Sequence, residues 1–218
     1  MKEILDFQMN KPFEYENGFH ITSHPSRIGK FLAHYELYKL ITHLPGHIFE
    51  FGIHKGNSLI RFATFRELME SPYSRKIYGF DTFTSFPKTD SEADNQFIDM
   101  FAEEAGKPIS KEELMACLAA KNLHNIELVE GNILQTLPAF IASKPETKAA
   151  LIHIDVDVYQ PSKLILEEMV KRLVPGGLIV LDDYGTVEGE TRAVDEFFNQ
   201  SAQIEKLPIS HIPSFIKV

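Results

Sequence analysis

Along the chain, short apolar runs alternate with stretches whose apolar positions recur every three or four residues. Strand-like runs fall at about 47–51, 76–80, 126–129, 150–154 and 178–181. The last two, Ala150-Leu151-Ile152-His153-Ile154 and Leu178-Ile179-Val180-Leu181, show no polar alternation, which predicts central parallel strands covered on both faces. Between them, Ile165, Leu166, Met169, Val170 and Leu173 form one apolar helical stripe after Pro161, and Pro175-Gly176-Gly177 is expected to end that helix. An earlier helix is expected where Ile28, Phe31, Leu32 and Tyr35 fall at i, i+3, i+4 and i+7, stopping at Pro45-Gly46. The first 25 residues or so read as polar and irregular. Residues 204–207 and 215–218 are expected to pair as antiparallel strands.

From 84 to 125 the rhythm breaks. A polar loop and helical patches at 97–105 and 111–120 come before the third strand, and an insertion of that size is expected to act as a lid or to contact a neighbouring subunit. The pattern predicts a single α/β domain over 1–218, a Rossmann-like doubly wound sheet, mostly parallel with a C-terminal antiparallel hairpin strand. Residues 1–45 are read as an N-terminal cap segment and 84–125 as the lid-like insertion.

Composition narrows the partners. Over 218 residues, 44% are apolar, enough for one well-filled core. A formal charge of -9 counts against a nucleic-acid binder, which needs a basic face for the phosphates. Cys117 is the only cysteine, so no intrachain disulfide can form, and it reads as a buried helix position. The N-terminus lacks an apolar signal core, and no run approaches the roughly 18 apolar residues that span a bilayer. A cytoplasmic protein with no membrane partner is expected.

Ligands of an open α/β sheet sit beyond the carboxyl ends of its strands. Each of those ends carries an acid here: Glu50 ahead of Gly52 and Gly56, Asp81, Glu130 ahead of Gly131-Asn132, Asp155 with Asp157, and Asp182-Asp183. A dinucleotide fold needs G-x-G-x-x-G so that a pyrophosphate can sit on backbone N–H groups. This chain has only G-x-x-x-G, and Glu50 would set a negative charge beside that pyrophosphate. S-adenosylmethionine inverts the requirement: it has no phosphate, carries sulfonium and α-amino cations, and offers two ribose hydroxyls. Gly52 and Gly56 would let the backbone approach its methionine portion, Asp81 would take the ribose, and Gly131-Asn132 would lie near the adenine.

These motifs resemble the class I S-adenosylmethionine-dependent methyltransferases and, within them, the macrocin O-methyltransferase family. The resemblance rests on Phe49-Glu50-Phe51-Gly52-Ile53-His54-Lys55-Gly56-Asn57-Ser58-Leu59, on Gly79 to Pro87, on Asp155-Val156-Asp157-Val158-Tyr159, and on Pro175-Gly176-Gly177 leading to Asp182-Asp183-Tyr184. It covers most of the chain from about Arg27 onward. It implies that Glu50, Gly52, Gly56, Ser58, Asp81, Gly131 and Asn132 line the cofactor site. Phe83 and Asp155 join that set. It further implies that Asp155, Asp182 and Asp183 hold a divalent metal. The chemistry agrees, since crowded carboxylates repel and a hard cation such as Mg²⁺ relieves them.

The proton of the attacked hydroxyl would pass to Asp155 or Asp157, and the spacing leaves both open as catalytic residues. Phe86 and Tyr184 are expected beside the cofactor or acceptor, His54 at the cofactor, His211 at the acceptor pocket, and His153 in the core. Lys55 and Lys88 are expected to be solvated. The activity this implies is magnesium-dependent O-methylation of a small polar acceptor such as a sugar or glycosylated metabolite, with a homodimer left open. The alternatives are a nicotinamide-dependent oxidoreductase, disfavoured by the missing third glycine and Tyr-x-x-x-Lys pair, and a cofactor-binding protein without catalysis.

Overall fold

The computed structural model of the chain describes residues 3, 4 and 7–218. A small antiparallel pair, β1 (Glu3–Ile4) and β2 (Phe7–Gln8), precedes helices α1 (Pro12–Thr22) and α2 (Pro25–Lys39). Then follow β3 (His47–Phe51), α3 (Asn57–Met69), β4 (Ile77–Asp81), α4 (Glu92–Ala105), α5 (Lys111–Ala120), β5 (Ile126–Glu130) and α6 (Ile133–Ser143). The second half runs β6 (Ala149–Ile154), α7 (Tyr159–Met169), a 3₁₀ turn at Val170–Arg172, β7 (Leu173–Leu181), α8 (Glu188–Phe198), β8 (Glu205–Lys206) and β9 (Ser214–Lys217). Among the described residues no helix is long and apolar enough to cross a membrane.

Seven strands form one sheet in the order β5-β4-β3-β6-β7-β9-β8. β5 through β7 are parallel, and β9 returns antiparallel between β7 and β8. The chain moves outward from β3 to β5, then restarts at β6 on the other side of β3. The switch point therefore lies between β3 and β6, where Phe51 pairs with Ile154 and Asp155 N donates to Phe51 O at 2.9 Å.

Strand alternation divides the core in two. Ile48, Leu151, Leu178 and Val180 face Leu37 and Tyr38 of α2 and Leu59 and Phe62 of α3. Phe49, Phe51, Ile152, Ile154, Ile179 and Leu181 face α6, α7 and α8 through Leu137, Phe140, Ile165, Leu166 and Val194. Each of these fully buried side chains contributes roughly 1.5–3 kcal/mol against an exposed reference, so the strand runs that read as doubly covered are the ones that hold the layers together.

Three expectations are corrected. The irregular N-terminal stretch contains α1, started by Pro12 in its first turn, yet it buries no residue, so its sequence carries no apolar period to read. In α2 the buried face is Gly29, Ala33, His34, Leu37 and Tyr38, while Phe31 and Leu32 are 39% and 41% exposed. The helix turns this way because a Cβ at Gly29 would stand 2.6 Å from Ile209 O, so only that glycine admits the β8–β9 connection. Pro175-Gly176-Gly177 does not end a helix. Helix α7 stops at Met169, and the three residues lie within β7, where the pairing with β6 shifts register between Ala149 and Leu151. The insertion adds no strand, and its two helices differ: α5 buries Leu114 and Leu118 in the core, whereas α4 buries only Asp94 and Ile98.

Candidate active site

The glycine loop after β3 is held from β4. Asp81 Oδ2 accepts from the N–H groups of Ile53 at 2.6 Å and His54 at 3.1 Å, and Oδ1 accepts from Phe83 N at 2.7 Å. Gly52 is indispensable, since a Cβ there would lie 1.7 Å from Asp155 O; its φ of +88° also falls in the left-handed region. Gly56, at φ +79°, starts α3, with Leu114 of α5 packed where its Cβ would stand.

A cavity of about 450 Å³ opens at this switch point. Gly52, His54, Asp81, Asn132, Asp155 and Asp157 line it from the sheet side, and Phe86, Lys88, Ile98 and Phe101 line it from the insertion. Asn132 caps α6 by accepting from Leu134 N at 2.9 Å, and Gly131 N donates to Asp81 O at 2.9 Å. Several expected residues stand off the wall, Gly56 and Gly131 among them. Glu50 and Ser58 are buried beneath the glycine loop, with Ser58 Oγ donating to Glu50 Oε1 at 2.6 Å. Phe83 packs in the core, and Tyr184 donates to Asp195 Oδ1 at 2.8 Å. His211 lies at a separate depression with Pro25, Ser26 and Lys206. Cys117 is half-buried against the core.

The acids at the ends of β6 and β7 separate into two groups. Asp155, Asp157 and Asp183 each bring a carboxylate oxygen within 4.8 Å of the others. Burial, followed by the charges of Asp182 and the neighbouring acids, pushes Asp155 well above the ordinary carboxylate range. Burial and Asp183 do the same to Asp157, while burial and Asp182 raise Asp183. Asp157 adopts φ +63°, and the turn that carries it is braced by Glu190 N donating to its carbonyl at 3.0 Å.

Asp182 has other partners. The Lys30 ammonium sits on its Oδ2, and His153 Nε2 and His34 Nε2 lie 3.3 and 3.8 Å from Oδ1. Burial opposes ionisation, but His153, His34 and Lys30 together hold Asp182 well below the usual range. His34, stacked on Phe62 at 5.1 Å, is lowered to about 4 by burial. Of the expected trio, Asp155 and Asp183 group with Asp157, while Asp182 pairs with Lys30 and the two histidines, with its charge still the strongest of the acids acting on Asp155 and Asp183.

Lys30, His34, Glu190 and Asp94 belong to the site's surroundings without having been picked out in the sequence. A signal existed for His34, since Leu37, Tyr38 and Ile41 follow it at i+3, i+4 and i+7. Glu190 is buried in the first turn of α8, accepts from Asp183 N at 3.1 Å, and is raised well above its ordinary value by burial and the nearby acids. Helix α7 has no side-chain cap of its own. Asp94 of α4 supplies one from the insertion, accepting from Tyr159 N at 3.1 Å.

With this geometry in place, comparison with known proteins is informative. The family described as Macrocin-O-methyltransferase (TylF) matches residues 35–215. The 8-demethyl-8-(2,3-dimethoxy-alpha-L-rhamnosyl)-tetracenomycin-C 4'-O-methyltransferase of Streptomyces olivaceus is 26% identical over 145 residues, 65% of this chain and 54% of that protein. The chain therefore spans about half the length of that curated relative. Among solved structures, the calicheamicin methyltransferase CalS11 is 25% identical with a TM-score of 0.71, covering 95% of this chain and 86% of its own. Apo CalS11, described as a TDP-rhamnose 3'-O-methyltransferase, is 26% identical with a TM-score of 0.69, covering 98% and 89%. The O-methyltransferase NovP, 19% identical with a TM-score of 0.75 over 87% and 79%, shares the fold.

Proposed function

The chain belongs to the macrocin O-methyltransferase family, and from that premise we propose that it methylates a hydroxyl of a sugar or glycosylated metabolite, using S-adenosylmethionine and a divalent cation held by Asp155, Asp157 and Asp183. One observation carries the reading: Asp155 and Asp157 line the same cavity as Gly52, Asp81 and Asn132, and Asp183 brings a third carboxylate within 4.8 Å of both. The sugar-modifying activities named for the relatives support the acceptor class.

The residues fit both groups. An all-oxygen donor set suits a hard cation such as Mg²⁺, and carboxyls raised by burial and mutual repulsion are the ones a divalent charge would return to the ionised form. Bound there, the cation would supply Lewis-acid polarisation of an acceptor oxygen and lower its pKa. Bound in the cavity, S-adenosylmethionine would supply the electrophilic methyl group.

The chain's own residues do the positioning. Asp81, its carboxylate plane fixed by three backbone donors, keeps a lone-pair site on Oδ1 for a ribose hydroxyl. Asn132 offers its amide beside the adenine. Asp157 or Asp155 receives the proton of the attacked hydroxyl on a carboxylate oxygen, and α4 covers the cavity while the acceptor is held.

Chelator-treated protein is expected to lose turnover on glycosylated acceptors, to regain it with Mg²⁺, and to bind S-adenosylhomocysteine unchanged. Full turnover without metal would leave proton abstraction by Asp155 or Asp157 alone and remove the cation from the reading.

A further inference from the structure

The seam between α2 and α3 holds a cation that no described residue engages by a hydrogen bond or an ion pair. Arg61 lies three residues after Ser58 on α3, and its guanidinium carbon stands 5.7 Å above the ring of Phe31 from α2. Phe31 is itself set edge-on to Phe65 at 5.5 Å, so the seam fixes where the guanidinium can go. Arg61 is half-buried, yet no hydrogen bond or ion pair joins its side chain to any described residue. The other sequestered arginines are treated differently. Arg66 donates to the carbonyls of Arg75 at 2.8 Å and Asn125 at 3.1 Å, and Arg75 donates to Glu70 Oε1 at 2.8 Å and to the carbonyls of Ile41 and Leu44. Lys30, next to Phe31 on α2, is committed to Asp182. A half-buried fork of five donors left empty is costly unless a ligand completes it.

Its surroundings say which ligand. Arg61 stands one turn along α3 from Ser58, whose hydroxyl donates to Glu50 at the end of β3 at 2.6 Å, and the charges that bear on it are those of Arg27 on α2 and of Asp182, Glu50 and Asp155 at the strand ends. A ligand with its ribose at Asp81 and passing Gly52 and Asp155 would carry its far end toward this turn of α3. S-adenosylmethionine has a zwitterionic amino-acid tail at that end. The acids suit the tail's ammonium and repel its carboxylate, so the carboxylate needs a cation with donors to give.

We propose that Arg61 receives the α-carboxylate of the cofactor's methionine tail through a paired, two-pronged contact, with Arg27 adding attraction from α2. The assignment rests on the reading of the cavity as the cofactor site. A guanidinium presents two parallel N–H groups to a carboxylate, and lysine cannot reproduce that fork.

Two related ligands separate this assignment from the reading beneath it. S-adenosylhomocysteine carries the amino-acid tail and 5'-methylthioadenosine lacks it, while both are neutral thioethers with the same nucleoside. Calorimetric titration of the full chain with each should show Arg61→Met weakening S-adenosylhomocysteine by about 10- to 100-fold, the range for a charge-assisted contact, with 5'-methylthioadenosine unchanged. Arg61→Lys should recover part of the loss. Unchanged S-adenosylhomocysteine affinity in Arg61→Met would overturn the assignment, as would an equal loss for both ligands, which would make Arg61 a support of the fold. Failure of the parent protein to bind either one would remove the cofactor reading, and the assignment with it.

Discussion

Asp182 and Asp183, adjacent just beyond the end of β7, keep different company: Asp183 groups with Asp155 and Asp157, and Asp182 meets Lys30, His34 and His153. Substituting each should therefore have a different consequence. Asp183→Asn is expected to weaken Mg²⁺ by more than the roughly 10- to 100-fold that altering an outer partner of a metal site costs, without destabilising the metal-free protein. Asp182→Asn leaves the Lys30 ammonium buried without its partner and is expected to cost about 3 kcal/mol of folding stability. Magnesium calorimetry and urea unfolding of both variants check the contrast. Equal losses of magnesium affinity would return Asp182 to the metal set.

Asp81 braces the glycine loop and is proposed to take the ribose, and its variants should show both. Asp81→Ala is expected to weaken S-adenosylhomocysteine by on the order of 1.5–3 kcal/mol and to speed hydrogen exchange at the freed N–H groups of Ile53 and His54. Asp81→Asn keeps one acceptor oxygen and should lose less. Parent-like affinity in both would place the ribose elsewhere.

Burial lifts the Glu50 carboxyl from its ordinary 4.5 to about 7, against the opposing pull of His153 and the Ser58 hydroxyl. Between those two values the folded chain holds a proton that the unfolded chain has released, so stability falls as pH rises through the window. The contribution is whole below the lower value and gone above the upper. Glu50→Gln keeps an acceptor for Ser58 and should flatten this slope, gaining on the parent at about pH 8 and matching it near pH 5. Parallel unfolding profiles for the two proteins would mean that Glu50 ionises normally when folded.

Within the insertion, α4 is the part expected to move. It buries only Asp94 and Ile98, whereas α5 is packed into the core and Ile109 N is tied to His54 O at 2.8 Å. On addition of S-adenosylhomocysteine and a glycosylated acceptor, hydrogen exchange should slow across α4 and stay nearly constant in α5. No change in α4, with both ligands shown to bind, would dismiss its role as a cover.

The strands were legible because each apolar run stops abruptly at an acid, which marks both an element and the rim of the site. Sequence order could not tell which partners Asp182 or Asp157 would take. That depends on the register of β7 against β6 and on the left-handed turn at Asp157, both settled by neighbouring strands and helices. The buried face of α2 was misread for a related reason. The largest apolar side chains, Phe31 and Leu32, drew the eye, while the face that packs carries Gly29 and His34, whose places come from Ile209 and Asp182 far along the chain. Helix α1, burying nothing, left no period to find.

The helix cap that Asp94 lends to α7 has a mechanical meaning. Asp94 rides on α4, and the turn it secures begins two residues after Asp157. Lifting α4 from the cavity uncaps that turn, a loss of about 1 kcal/mol, and reseating it restores the bond. If α4 is the cover proposed above, this one hydrogen bond would behave as a latch of modest tension, favouring the shut position by about fivefold and still opening thermally. Closing the cover would then also steady the turn that carries Asp157.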